Sequence, residues 1–153
     1  MIHDLLENIA TSHLLTWVTL NIVAPLDRRL MALSNGRLSL TGASTILLIT
    51  IGARSGAQRR AALPGLFHDG EIVLLASKGG AKTHPAWYHN LLKHPEVEVV
   101  KAGERLRYRA EVTEGQRREA LWSWMLEQWK GFAAYQEKSK PRVLPVVVLH
   151  SID

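Results

Sequence analysis

The segment TILLITI at residues 45–51, set between Gly42 and Gly52, narrows the folds open to this chain more than any other feature. So short a run of β-branched and aliphatic residues bounded by glycines is too brief for an ordinary helix and suits a buried strand. A loop at 52–56 follows, then a returning strand expected over 59–67. The turn signal His68-Asp69-Gly70 leads into an apolar strand at 71–76. Strands linked this closely in succession form an antiparallel sheet. Further on, 97–101 and 105–112 read as a hairpin around Ala102-Gly103, and VLPVVVLH at 143–150 reads as the closing strand.

Helical signals surround this β pattern. Ile2, Leu5, Leu6, Ile9, His13, Leu14 and Trp17 recur at three- and four-residue steps, which predicts a helix from residue 2 to about 23. Pro25 ends that helix or opens a second over 25–33, which Asn35-Gly36 stops. Pro85 opens a helix over 86–93, stopped by His94-Pro95. Thr113 and Gln116 have capping-box spacing for a helix reaching Trp129; Gly131 interrupts, and 132–138 is a further helical piece. The expectation is an α+β chain with about six strands in a small barrel or roll. Its helical segment spans 1–35 and its barrel domain 36–153.

No Asp, Glu, Lys or Arg occurs between Glu7 and Asp27, but Asn8, Thr11, Ser12, His13, Thr16, Thr19 and Asn21 dilute that stretch too far for a membrane span. It is read as a helix packed on its own domain, or as one lying at a membrane surface with Arg28 and Arg29 at its edge. The net charge of +5 gives a surface that attracts anions, whether nucleic acid, acidic lipid or a phosphorylated cofactor. Zero cysteines exclude disulfides, thiolate metal sites, iron–sulfur clusters and a cysteine nucleophile, and a cytoplasmic, small-molecule reading fits best.

Three stretches could carry chemistry. Gly52-Ala53-Arg54-Ser55-Gly56, with Arg59 and Arg60 after it, combines a tight loop of amide groups with guanidinium forks suited to phosphate. Strand alternation would set Arg59 and Arg60 on opposite faces. Ser77-Lys78-Gly79-Gly80 ends a strand, and its glycines let backbone approach a flat ligand. Trp87 beside it could wall a ring, while Tyr88 and Tyr135 offer hydroxyls that could donate a proton. Each of these also has a plain structural reading, as surface hairpin or core aromatic. His84, His89 and His94 are five apart and would point about 140° away from one another on a helix, so no metal site is expected. The GxxxxGK[ST] pattern is absent, and neither a Ser-His-Asp arrangement nor a carboxylate pair stands out. A chain without a self-sufficient catalytic group points to a borrowed cofactor.

Taken together, ASKGGAKTHPAWYHNLLKHPEVEV (76–99), LLITIGARSGAQRR upstream, and GFAAYQ and LPVVVLH downstream resemble the deazaflavin-dependent nitroreductases and quinone reductases, over roughly residues 36–150. The resemblance implies a split β-barrel of the FMN-binding type. It implies coenzyme F420, an 8-hydroxy-5-deazaflavin, as hydride source for a quinone, nitro compound or activated alkene. Carried over, Arg54, Ser55 and Arg59, with Arg60 as an addition, would hold the tail phosphate. Leu63, Pro64, Ala76, Ser77 and Lys78 would line the ring site and Ala86, Trp87 and Tyr88 would close it. Phe132 and Tyr135 would sit on the substrate side, with Tyr135, Tyr88 and Ser77 as proton donors. Ala53 departs from a basic residue usual in the family, and Phe132 from a tyrosine of its nitro-drug-reducing members. The rival readings are an FMN-binding barrel and a non-catalytic module for lipid or nucleic acid.

Overall fold

A computed structural model describes Ile2 and residues 12–153. The first part of the expected amino-terminal helix, 3–11, lies outside the described residues. From there helix α1 (His13–Val18) begins, with Ser12 Oγ accepting from the Leu15 amide at 3.4 Å. A π-helical turn (Thr19–Val23) joins it to α2 (Ala24–Leu33). Pro25 thus stands in the first turn of α2, as expected for a helix over 25–33, although the helical path runs on through it without a break. The widened turn, in which the Ala24 amide donates to Thr19 O, carries the chain past the residue that has no N–H to give. Asn35 and Gly36, at φ 54° and 74°, end α2 as expected. Their carbonyls accept from Gly103 and Ala102, and a Cβ on Gly36 would stand 2.8 Å from Lys101 Cα.

The strands are β1 (Thr45–Ile51), β2 (Gln58–Pro64), β3 (Leu66–His68), β4 (Glu71–Leu75), β5 (Glu96–Lys101), β6 (Glu104–Val112) and β7 (Val146–Ser151). All pairs are antiparallel, in the order β2-β1-β5-β6-β7-β4-β3. Helix α3 (Ala86–Lys93) precedes β5, while α4 (Gly115–Gln128) and α5 (Gly131–Ser139) lie between β6 and β7. The hairpin at Ala102-Gly103 forms as expected, with both residues at positive φ.

The returning strand expected over 59–67 is corrected to two strands serving opposite ends of the sheet. Pro64 pairs with Thr45 on β1, whereas Leu66 pairs with Val73 on β4. One continuous stretch of chain thus supplies both terminal strands of the sheet and bends it round on itself. The hinge is Gly65, where a Cβ would press on Ile46 Cγ2 at 3.0 Å and Ile72 Cγ2 at 3.1 Å.

Burial explains why β1 and β7 are apolar without alternation. Ile46, Leu48, Val147 and Leu149 point into the barrel interior with Ile72, Leu74, Val97 and Val99. Leu47 and Ile49 point outward against Met31 of α2, while Val146 and Val148 pack beneath Leu121, Met125 and Phe132 of α4 and α5. Strands covered on both faces need apolar residues at every position. Each such side chain contributes about 1.5–3 kcal/mol when buried.

Two further expectations change. Thr113 is not a helix cap: its amide and its hydroxyl both donate to Val146 O, at 3.0 and 2.8 Å, and it is buried against β7. Glu114 takes the N-cap position without a side-chain bond. The closing strand starts at Val146 rather than 143, because Val143 is exposed and Leu144 is drawn into the outer core.

Gly65→Val should lower unfolding stability by about 1–3 kcal/mol through overpacking at the hinge. Urea denaturation reads this directly, and an unchanged midpoint would show that the hinge has room to spare.

Candidate functional site

The loop after β1 is shaped by its own backbone and pinned from α3. Gly52 N–H donates to Ala57 O at 2.8 Å, Gly56 N–H donates to Gly52 O at 2.9 Å, and Gly56 stands at φ 70°. Ser55 Oγ accepts from the Ala57 amide and from Arg59 Nη2. Asn90, buried on α3, accepts from the Ala53 amide at 2.9 Å and donates to Thr50 Oγ1 at 3.0 Å. Lys93 Nζ donates to Ala53 O at 2.8 Å. The result is a fixed loop with its arginines projecting outward.

Beside it lies a cleft of about 830 Å³ that brings together Arg54, Ser55, Arg59, Arg60, Ala86 and Trp87. Arg28 of α2 also lines it. Arg59 and Arg60 pair with Thr50 and Ile49 and so alternate between faces as expected, yet both border this cleft, because the start of β2 is exposed. No Asp or Glu is among the lining residues. Several arginines elsewhere are neutralised, Arg107 by Asp153 at 2.9 Å, Arg109 by Glu96 at 3.1 Å and Arg117 by Glu111 at 3.0 Å. Among the described residues Arg28, Arg54, Arg59 and Arg60 ion-pair with no carboxylate. Four guanidinium groups left together without a counter-charge make a site for an extended anion.

A second cavity, about 350 Å³, adjoins the first, and Ala61 and Trp87 line both. It gathers Leu63, Pro64, Ser77, Lys78, Trp87 and Tyr135 from the expected set. Thr16, Thr19 and Leu20 of the amino-terminal helix form its outer wall, and Gly79 lies so close that a Cβ would meet Thr16 Cγ2 at 2.5 Å. Asp27 borders it, fully buried, accepting from the Leu40 amide, Ser39 Oγ and Thr41 Oγ1 at 2.6–2.8 Å. Burial alone would raise its pKa, but these hydrogen bonds outweigh that and lower it, so Asp27 is a tethered carboxylate.

Three expected residues are not brought to the cavities. Ala76 is 0% exposed, its amide bonded to Pro145 O. Tyr88 packs on the interior core with its ring 4.6 Å from that of His84. Neighbours on a helix diverge by about 100°, so with Trp87 on the cavity Tyr88 turns away. Phe132 is 8% exposed and meets Trp129 edge-to-face at 5.0 Å in the outer core. Among the candidate donors this leaves Ser77 and Tyr135 at the cavity. Burial raises the Tyr135 pKa, tempered by the nearby Thr16 hydroxyl, so the phenol holds its proton at neutral pH.

Arg28, Asn90, Asp27 and Arg142 were not found by sequence reasoning. Their roles depend on partners far along the chain, and no local spacing signals them. Arg142 reaches across to the loop after β4, and one of its nitrogens contacts His84 Nδ1 at 3.0 Å. Among the described residues no group of three His, Cys, Asp or Glu could hold a metal, and no helix is long and apolar enough to cross a membrane.

An antiparallel sheet curled into a half-barrel, with a cationic cleft adjoining a largely apolar cavity, is a split-barrel architecture. The family model of the F420H(2)-dependent quinone reductase matches residues 24–151, and the chain belongs to that family of oxidoreductases. It is 30% identical over 122 residues to an F420H(2)-dependent quinone reductase of Mycobacterium tuberculosis, covering 76% of this chain and 81% of that one. A solved F420-H2 dependent reductase superposes with a TM-score of 0.63 at 34% identity, covering 70% of this chain and 94% of the other. A structure solved as a domain-swapped dimer gives 0.66 at 30% identity, covering 80% and 92%. The heme storage protein HutZ of Vibrio cholerae, at 13% identity and TM-score 0.55 over 74% and 84% of the two chains, shares the fold.

Burial, followed by the charges of Arg142 and His89, lowers the His84 pKa below its ordinary value. The unfolded chain then binds this proton more readily than the folded one. The stability linked to neutral His84 is present above about pH 6.5 and is lost as pH falls through the lowered value. Thermal melts at pH 7.5 and 5.5 should show a larger drop for the native chain than for His84→Gln, and equal drops would contradict this.

Proposed function

We propose that this chain seats the anionic tail of coenzyme F420 on the arginine cleft, with its ring in the adjoining cavity, and reduces a quinone. The observation that carries this is the junction of the two cavities at Ala61 and Trp87, one lined by unpaired arginines and the other by Leu63, Pro64, Leu75 and Trp87. The residues present fit the cofactor, because a phosphodiester and glutamate tail requires cations without competing carboxylates. A flat ring requires apolar walls and a glycine-bearing loop.

When bound, reduced F420 supplies a hydride, a two-electron chemistry that suits a quinone, a nitro compound or an activated alkene. The protein's own share is orientation and shielding. Arg54, Arg59, Arg60 and Arg28 fix the charged end, Trp87 divides the two cavities, and Thr16, Thr19 and Leu20 cover the second from solvent. Tyr135, protonated and lining the cavity, is the proton donor favoured over Tyr88, with Ser77 as the other candidate hydroxyl. We also propose that the exposed Leu14, Trp17, Leu26 and Leu33, with Arg29 beside them, contact a lipid surface from which a lipid quinone is drawn.

Fluorescence titration with oxidised F420 beside FMN tests the cofactor. F420 should bind at micromolar level or tighter with FMN far weaker, and combined Arg54→Ala and Arg59→Ala should weaken F420 binding at least about tenfold. Preference for FMN, or unchanged affinity in the double variant, would refute the assignment. Tyr135→Phe should lower steady-state turnover of a menaquinone analogue by about a hundredfold; undiminished turnover would remove Tyr135 from the mechanism. Liposome flotation should weaken when Leu14 and Trp17 are both replaced by Ser, and equal flotation would retire the lipid contact.

A further inference from the structure

We propose that Arg142, which lies outside both cavities, is a positioning residue that aims the backbone amides of Ser77 and Lys78 into the second cavity, where they meet an acceptor edge of a planar heterocycle. This rests on reading that cavity as the ring site. Arg142 Nη1 donates to Ala76 O at 2.9 Å, and Nη2 donates to Ser77 O at 2.8 Å and Ala81 O at 2.7 Å. Nε donates to Ala81 O at 3.0 Å. The remaining contact is Nη1 with His84 Nδ1 at 3.0 Å. A guanidinium can only donate, so Nδ1 accepts and the imidazole proton sits on Nε2.

The geometry of the peptide unit gives this clamp its consequence. In a trans peptide the carbonyl and the following N–H point in opposite directions. Drawing Ala76 O and Ser77 O onto one guanidinium therefore turns the Ser77 and Lys78 amides the other way. Both residues line the second cavity, and among the described residues neither amide meets an acceptor. Ser77 is half-buried and Lys78 exposed at the cavity wall; a half-buried amide otherwise finds a partner, so the Ser77 amide above all, with that of Lys78 beside it, is poised for a ligand.

Backbone strain shows that the loop needs an external hold. Lys78, Gly79 and Gly80 follow one another at φ 47°, 63° and 84°, a left-handed run that a lysine rarely enters. Arg142 is itself anchored: its amide donates to Ser139 O at 3.0 Å, and its carbonyl accepts from Ser139 Oγ and Gln136 Nε2, both at 2.9 Å. Those partners belong to α5, the helix that carries Tyr135, so one clamp sets loop and phenol relative to each other. Lysine cannot replace the fork, since a single ammonium cannot span three carbonyls in this fixed plane.

The test compares native protein, Arg142→Lys and Arg142→Ala by titration with F420 and with 8-hydroxy-5-deazariboflavin, the ring compound without phosphate or tail. Amide hydrogen exchange is followed alongside. Arg142→Lys should weaken both ligands by the same factor, about tenfold or more, and speed exchange over 77–81 while β1 and β5 stay protected. Arg54→Ala should weaken F420 alone. General destabilisation would also weaken both ligands, but with loss of protection in β1 and β5, so retained protection there is what separates the two. In native protein the tail-less compound should slow exchange at Ser77 and Lys78, a reading that holds even if Arg142→Ala does not fold. Unchanged exchange in Arg142→Lys would overturn the clamp and leave the ring site standing. Faster exchange with both affinities unchanged would overturn the ring site and this proposal with it.

Discussion

The stretch from Gln58 to His68 has to pair with β1 at one end and with β4 at the other, and nearly everything about the site depends on that double duty. Because β2 and β3 are one run of chain hinged at Gly65, the sheet curls into a barrel instead of lying open. The same run begins with Arg59 and Arg60 at the rim of the cationic cleft and ends with Leu63 and Pro64 on the wall of the apolar cavity. Charge and apolar surface are therefore about four residues apart on one strand, which spaces them rigidly.

Support for that strand comes from elements distant in sequence. Asn90 and Lys93 of α3 hold the arginine loop from below. Arg142 and His84 hold the loop after β4, and α2 brings Arg28 across the cleft while Asp27 secures residues 39–41. A preorganised site has its ordering cost met by the fold before a ligand arrives, and each of these polar contacts belongs to that preorganisation. The amino-terminal helix differs. Residues of α1 are exposed or half-buried, and Thr16 covers the glycine loop.

Much of the barrel was legible in the chain. The run TILLITI and the hairpin at Ala102-Gly103 fall where their patterns place them, because doubly buried strands and positive-φ turns leave local marks. The arginine loop and Ser77-Lys78-Gly79 were legible as glycine-bearing loops, and the family resemblance gave them a purpose. What stayed hidden was set by rotation and distance. The resemblance sets Tyr88 at the ring site and Phe132 on the substrate side, but helix phase turns one toward the interior core and the other toward Trp129. Thr113 matches a capping box, yet its hydroxyl finds Val146 O, a partner 33 residues away that no local pattern announces. Arg142 and Asn90 read as ordinary surface-type residues until the fold surrounds them with carbonyls and amides.

A crystal structure of the complex with coenzyme F420 tests the two-cavity assignment most directly. Phosphate density among Arg54, Arg59 and Arg28, with the ring between Trp87 and the Ser77–Gly80 loop, is the predicted result. A ring lying on the arginine cleft, or a tail threaded past Tyr135, would contradict it.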